Sequence, residues 1–251
     1  MPATPAWPPK SAPRLFVEEP LAEGQTITVE GNQAHYLARV MRAARGDAVI
    51  LCDDATGEYA SCVVEANRRS VMLQIVERRR DRDAVPDLWL CAALLKKDRF
   101  DLVLEKATEL GAARIQPVLT RRCVADKLNP ERARAVTIEA AEQCARTALP
   151  ELVAPVKLDA LLADWPQARG LFFADEEGGE PAAEAFAAHK GPTAILIGPE
   201  GGFDEAERAA IRTLPQANAI TLGPRILRGE TASFAALSVW MATAGDWAHA
   251  G

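Results

Sequence analysis

The hydrophobic period changes once along this chain, and that change limits what the chain can fold into. Apolar residues recur mostly at every second position between residues 14 and 76. Segments 25–29, 48–52, 59–64 and 70–76 are rich in β-branched residues, and turn signals at 30–32, 45–47, 55–57 and 67–69 separate them. One helical stretch fits residues 33–42. Short strands at this spacing predict a small β-barrel over 14–80. Residues 77–87, ERRRDRDAVPD, are dense in charge and read as a linker.

Beyond the linker the pattern becomes strand and helix in alternation. Continuous apolar strands are expected at 88–94, 115–119, 170–174, 193–197 and 218–222. Helices fit 99–110, 131–148, 204–214 and 231–244. Gly111 is placed to end the first of these helices, and Asp204 with Glu207 suits a capping box. Apolar strands joined by helices predict an α/β fold whose parallel sheet, over 84–251, is covered on both faces.

Composition excludes several functional classes. No run approaches the roughly 20 apolar residues of a membrane span. The start, MPATPAWPPKSAP, has no apolar core of a secretory signal, and residues 1–13 are expected to be a disordered lead-in with Trp7 docking. Five cysteines without a CxxC pair, and three scattered histidines, argue against a disulfide scaffold or metal site and suit the cytoplasm. The formal charge is −6, but unevenly spread: residues 1–83 carry −1, residues 84–150 carry +2 and residues 151–251 carry −7. A polyanion must therefore be met within the first 150 residues, by local patches.

Two segments carry chemistry. In Ile197-Gly198-Pro199-Glu200-Gly201-Gly202-Phe203 a buried strand enters a glycine-rich turn and then a helix, where bare backbone can touch a ligand. A tight turn without a ligand fits this stretch equally well. It is neither a phosphate-binding P-loop, because no Lys-Ser/Thr follows, nor a dinucleotide fingerprint. In Leu222-Gly223-Pro224-Arg225-Ile226-Leu227-Arg228-Gly229-Glu230-Thr231-Ala232 a charged, rigid loop opens a nearly all-apolar helix, which predicts deep burial for that helix. A plain Arg–Glu surface pair beside a helix start is the competing reading.

Together with LLKKDRFDLVLEKATELG at 94–111, RRCVADK at 121–127 and EQCAR at 142–146, these segments resemble the RsmE family of SPOUT RNA methyltransferases. The resemblance covers residues 14–246. It implies a PUA-like β-barrel before a SPOUT-type sheet with a C-terminal trefoil knot, and a homodimer in which one subunit's barrel helps serve the other's cofactor site. It also implies S-adenosylmethionine as methyl donor and N3 of a 16S rRNA uridine, in the assembled small ribosomal subunit, as acceptor. Lys97 and Ala145 stand where glycine is usual in the family.

On this resemblance the cofactor is held by Ile197, Gly198, Pro199, Glu200, Gly201, Gly202, Leu222, Gly223, Ile226, Leu227, Arg228, Thr231 and Ala232. N3 transfer must place the base and remove a proton. Arg228 and Arg225 are candidates to stabilise the resulting anion. Glu230 either accepts the proton, orients an arginine, or is a carboxylate favoured by a helix N-terminus. Arg14, Arg39, Arg42, Lys96, Arg99, Arg121, Arg122, Lys127 and Arg146 are candidate RNA contacts, along with Arg45 and Lys97. Each taken singly also suits a solvated surface charge, and Glu142 with Arg146 also suits a helical ion pair. A ribose 2′-O-methyltransferase, a non-catalytic RNA-binding module and a nucleotide hydrolase are the other classes considered. The last lacks a P-loop lysine and a magnesium carboxylate.

Overall fold

The computed structural model describes residues 7–249. The chain divides into two compact units, one of residues up to Ala84 together with Ala141–Ala148, the other of Val85–Ala140 and Leu149 onward.

The first unit opens with β1 (Arg14–Phe16) and β2 (Thr26–Glu30). A short α1 (Gly31–His35) continues into a π-helical turn, Tyr36–Val40, where the expected ten-residue helix divides. The Met41 amide there reaches back to the Tyr36 carbonyl at 3.0 Å, and Arg42 ends the turn at φ +54°. Then come β3 (Ala48–Cys52), β4 (Glu58–Ala66) and β5 (Ser70–Arg80). The hydrogen-bonded order is β1-β3-β4-β5-β2, with β1 parallel to β3 and the other pairs antiparallel. β1 and β2 end that path, so where a barrel was expected the hydrogen bonds trace a five-stranded sheet whose core is Leu37, Val49, Leu51, Tyr59, Val71, Leu73 and Ile75. The open edge of β1 is covered: the Phe16 amide donates to Glu142 Oε1, and its carbonyl accepts from Gln33 Nε2.

Two expectations change in this unit. β5 runs four residues into the charged stretch read as a linker, because Arg80 pairs across to Glu58 on β4. Glu58 is buried and also holds Arg14, so the charges sit inside a ladder. Of the lead-in, residues 1–6 lie outside the described residues. Residues 7–13 include a turn closed by the Ala12 amide on the Pro9 carbonyl, and the Pro13 carbonyl accepts from Ile50, which extends the β1–β3 ladder. Trp7 remains 42% exposed.

The second unit contains β6 (Leu88–Ala93), α2 (Lys97–Glu109), β7 (Arg114–Leu119) and α3 (Pro130–Cys144), whose last residues group with the first unit. The short β8 (Glu151–Leu152), β9 (Val156–Lys157) and α4 (Leu158–Ala163) follow, then β10 (Gly170–Ala174), β11 (Glu180–Pro181) and α5 (Ala182–Ala188). β12 (Thr193–Ile197), α6 (Glu205–Thr213), β13 (Ala217–Thr221) and α7 (Gly229–Thr243) complete it. The sheet is parallel throughout, in the order β11-β13-β10-β12-β6-β7-β8, with β9 also on β7. Neighbouring residues on one strand point to opposite cores. Leu90, Phe172 and Ile195 pack with Phe100, Phe186 and Trp240, whereas Cys91, Phe173 and Leu196 pack with Leu158, Trp165 and Ile211. Both faces are therefore apolar, which is why these strands read as unbroken hydrophobic runs.

The expected helix over 131–148 stops at Cys144, because Ala145 takes φ +62° and turns the chain out of the helix. Arg146 thus lies past the helix, and its amide reaches the Ala141 carbonyl. Its side chain is buried, so Arg146 is a packing group and not an open RNA contact. Burial also draws its guanidinium down to about 10, still cationic at neutral pH.

Candidate active site

The C-terminal ends of β10, β12 and β13 meet at a cavity of about 260 Å3. Open parallel sheets place ligands there, where loops diverge beyond the strand ends. β10 contributes Ala174, Asp175 and Glu176 to the wall. β12 contributes Ile197 and its glycine-rich loop, and β13 contributes Ile220 and the loop from Leu222 to Leu227. Gly229 and Ala232 of α7 close the inner side.

Local chemistry explains the loop after β12. Asp204 caps α6 by accepting from the Glu207 amide at 2.7 Å, and Glu207 Oε2 accepts from the Asp204 amide, forming the expected capping box. Those hydrogen bonds, with Arg121 beside it, hold the Asp204 carboxyl below the usual carboxylate range. Gly202 takes φ +66°, and a Cβ there would lie 2.6 Å from Glu176 Oε1. Conformation is what requires glycine at this position; the Glu176 carboxylate, at the end of a flexible side chain, could move aside. A Cβ on Gly201 would instead meet Arg122, whose Nη1 donates to the Gly201 carbonyl at 2.6 Å.

The two loops approach each other directly. A Cβ on Gly229 would lie 3.2 Å from the Gly198 carbonyl oxygen and from Leu95 Cδ2. α7 begins at Gly229 with Arg228 at its cap, two residues before the expected start. Its buried residues Gly229, Ala232, Ala236, Leu237, Trp240 and Met241 form a helical stripe, while Phe234 and Val239 are only partly covered. The opposite side is thus less buried than an all-apolar sequence suggested.

Charge is placed asymmetrically around the cavity. Asp175 is fully buried and bridges Arg208 at 3.1 Å and Arg212 at 2.7 Å. Arg208 also holds Glu176 and Glu177, so three carboxylates gather on one arginine. On the other side Arg99 Nη1 lies 3.1 Å from Glu230 Oε1 and 3.7 Å from Glu200 Oε1. Glu230 is 9% exposed, and its Oε2 is buried without a hydrogen-bond partner.

Residues 82–241 match the model of the RNA methyltransferase domain, and residues 29–76 match that of the RNA methyltransferase PUA domain. The ribosomal RNA small subunit methyltransferase E of Bacillus subtilis is 31% identical over 90% of this chain and 94% of its own length. That of Mycobacterium bovis is 32% identical over 92% and 95%.

The chain belongs to the ribosomal RNA small subunit methyltransferase E family.

A solved structure of the family from Neisseria gonorrhoeae, bound to S-adenosyl methionine, superposes with a TM-score of 0.85 at 26% identity, covering 94% of this chain and 99% of the other. Ile197, Gly198, Pro199, Glu200, Gly202, Leu222, Gly223, Ile226, Leu227 and Ala232 line the cavity, as does Arg225. Gly201, Arg228 and Thr231 stand outside its lining: Gly201 faces Arg122, Arg228 caps α7, and Thr231 is exposed. Sequence reasoning missed Asp175, Glu176 and Arg208. The run of acids after β10 was visible, but nothing in the chain order places β10 between β12 and β13.

The basic candidates divide by partner. Arg39, Arg42, Arg45, Lys96, Lys97 and Lys127 are exposed. Arg121 is exposed but tied to α6: it bridges Asp204 at 3.0 Å, and its amide donates to Glu207. Arg122 holds the glycine-rich loop, Arg14 is paired with Glu58, and Arg99 is paired with Glu230. Lys97 opens α2, a helical position where lysine is no strain.

Proposed function

We propose that this protein transfers a methyl group from S-adenosylmethionine to N3 of a uridine in 16S ribosomal RNA of the small subunit. The observation that carries the reading is the cavity at the strand ends, bounded by two glycine-containing loops in contact. Ile197, Ile220, Leu222, Leu227 and Ala232 supply an apolar slot of the kind an adenine needs. Gly198 and Gly202 leave backbone bare beside it, and Glu176 and Glu200 suit the sulfonium and ammonium charges of this cofactor.

When bound, the cofactor supplies an electrophilic methyl group. The chain's own residues must do the rest. The loops hold the donor in place and exclude water. Ile226, 93% exposed at the rim, can close over the donor. Arg225 and Arg228, both exposed on the second loop, stabilise negative charge spread over N3, O2 and O4 of the uracil. Glu230 takes the N3 proton. The exposed cations of each unit meet the RNA backbone, which also orients the target base.

The C-terminal segment is threaded as a trefoil knot in this reading, supported by the close approach of Gly229 to Gly198. A homodimer is supported by the half-covered Phe234 and Val239 on α7. No helix among the described residues is long and apolar enough to cross a membrane, in keeping with work on ribosomal RNA in the cytoplasm. Labelled methyl transfer to undermethylated small subunits, followed by nucleoside mass spectrometry, tests the reading. N3-methyluridine supports it, whereas a 2′-O-methylated nucleoside or no transfer overturns it.

A further inference from the structure

Arg99 sits at the start of α2, where a lone basic residue of an RNA enzyme would ordinarily be a phosphate contact. Its surroundings give it other work. Its Nη1 is 3.1 Å from Glu230 Oε1, on the first turn of α7, and 3.7 Å from Glu200 Oε1, in the loop after β12. One guanidinium therefore ties α2 to both cofactor-side loops. Glu200, and Gly229 next to Glu230 in the chain, line the cavity.

The carboxylate it holds is incomplete. Glu230 is 91% buried by its 9% exposure, one oxygen bonded and the other, Oε2, buried with no partner. Among the described residues it is the one carboxylate oxygen in that condition. A buried acceptor left unsatisfied is destabilising, so its retention points to a group that completes it in the working complex. Uracil N3–H is a donor of the right kind. The charged groups facing Glu230 are Arg99 from α2 and, across it, Glu200. Arg228 precedes Glu230 on its own chain segment.

We propose that Arg99 is a positioning residue for the transfer step: by bonding Glu230 Oε1 and bracing Glu200, it fixes Glu230 so that its buried, unpaired Oε2 receives the uracil N3 proton once the base is seated against it. This rests on the functional reading above. In the balanced step the N3–H bond breaks and its proton goes to Oε2. The N3 electron pair forms the bond to the methyl carbon, and the methyl–sulfur bond breaks with its pair remaining on sulfur. The neutral thioether and N3-methyluridine leave, and Glu230 loses its proton to water.

The test compares wild type with Arg99→Ala, Arg99→Lys and Glu230→Gln. It uses single-turnover rates on small subunits across a pH series, calorimetric affinity for the cofactor, and affinity of the cofactor-free protein for a target-site RNA at several salt concentrations. Arg99→Ala should lower the saturated rate about 10²-fold. Its cofactor and RNA affinities should stay within about threefold of wild type. Its pH profile should differ from that of wild type, because the group that holds the base in place is gone. Arg99→Lys should recover much of the rate, and Glu230→Gln should flatten the low-pH limb.

The opposite pattern overturns the assignment. That is an Arg99→Ala variant with wild-type saturated rate and pH profile, weaker RNA binding, and a salt slope smaller by about 1, which would make Arg99 a phosphate ligand. Should Arg99→Ala not fold, Arg99→Lys and Glu230→Gln decide by the same pH profiles. Wild-type protein that forms no N3-methyluridine overturns the functional reading and this assignment with it. N3-methyluridine formation with Arg99 acting only on RNA affinity overturns the assignment alone.

Discussion

Adjacent glycines in the same loop do different work. Gly202 has φ +66°, with Glu176 where a Cβ would point, while Gly201 faces Arg122 and solvent. Gly202→Ala should therefore weaken S-adenosylmethionine binding at least about tenfold, the effect of roughly 1.4 kcal/mol. Gly201→Ala should leave it within about twofold, because its Cβ contact is an ordinary 3.4 Å. Calorimetric titration of both variants checks the contrast, and equal losses would mean the loop rearranges on binding. Ala145 is the converse case, a side chain held at φ +62°, in the region that favours glycine. Left-handed backbone costs a non-glycine residue about 1–2 kcal/mol, partly offset by the greater freedom glycine loses on folding. Ala145→Gly should raise unfolding free energy by about 0.5–1 kcal/mol in urea denaturation, at no cost to cofactor affinity.

Elements in this protein are anchored at their ends by carboxylates. The turn from β3 to β4 is built on Asp53, which accepts from the amides of Leu21, Ala55 and Thr56 and from the Thr56 hydroxyl. Desolvation opposes ionisation there, but these hydrogen bonds outweigh it and hold the Asp53 carboxyl below its ordinary value. The stabilisation is therefore present above the unfolded value near pH 4 and fades as pH falls through the lower folded value. Asp53→Asn should cost about 1–3 kcal/mol at pH 7, and this difference should shrink at pH 2–3. Chemical denaturation of both proteins at the two pH values measures it. A difference that stayed constant with pH would assign the turn to shape and not to charge. The thiols of neighbouring β3 and of β6 behave as packing groups: burial pushes Cys52 and Cys91 up to about 12, so both stay protonated and unreactive at neutral pH. Arg122 serves an element as well, since it ties the glycine-rich loop through the Gly201 carbonyl.

For the whole molecule, a ligand confined to the second unit should act on that unit. S-adenosylmethionine at 100 times its dissociation constant adds about 2.7 kcal/mol to whatever unfolds with the cavity. Calorimetric scans should show one transition moving up with cofactor, and in a protein carrying Gly202→Ala at the same cofactor concentration it should move about half as far or less, since a tenfold weaker site gains only about 1.4 kcal/mol. A cofactor-independent wild-type scan would place the binding site away from the cavity.

Much of this architecture was legible in the residues alone. A two-residue period gives one face of a sheet to the core, and continuous apolar strands between helices require a sheet covered on both faces, so the parallel sheet could be read from sequence. The loops 197–203 and 222–232 were legible because glycine and charge interrupt apolar periodicity there. What sequence could not supply is which strand lies beside which. β10 stands between β12 and β13, and that order alone brings Asp175, Glu176 and Arg208 to the cavity. Nor could it tell a free cation from a spoken-for one. Arg99 and Arg146 look alike in a list of basic residues. The fold gives the first a carboxylate 131 positions away and buries the second, because ion pairing and burial are set by distances in space that chain spacing does not encode.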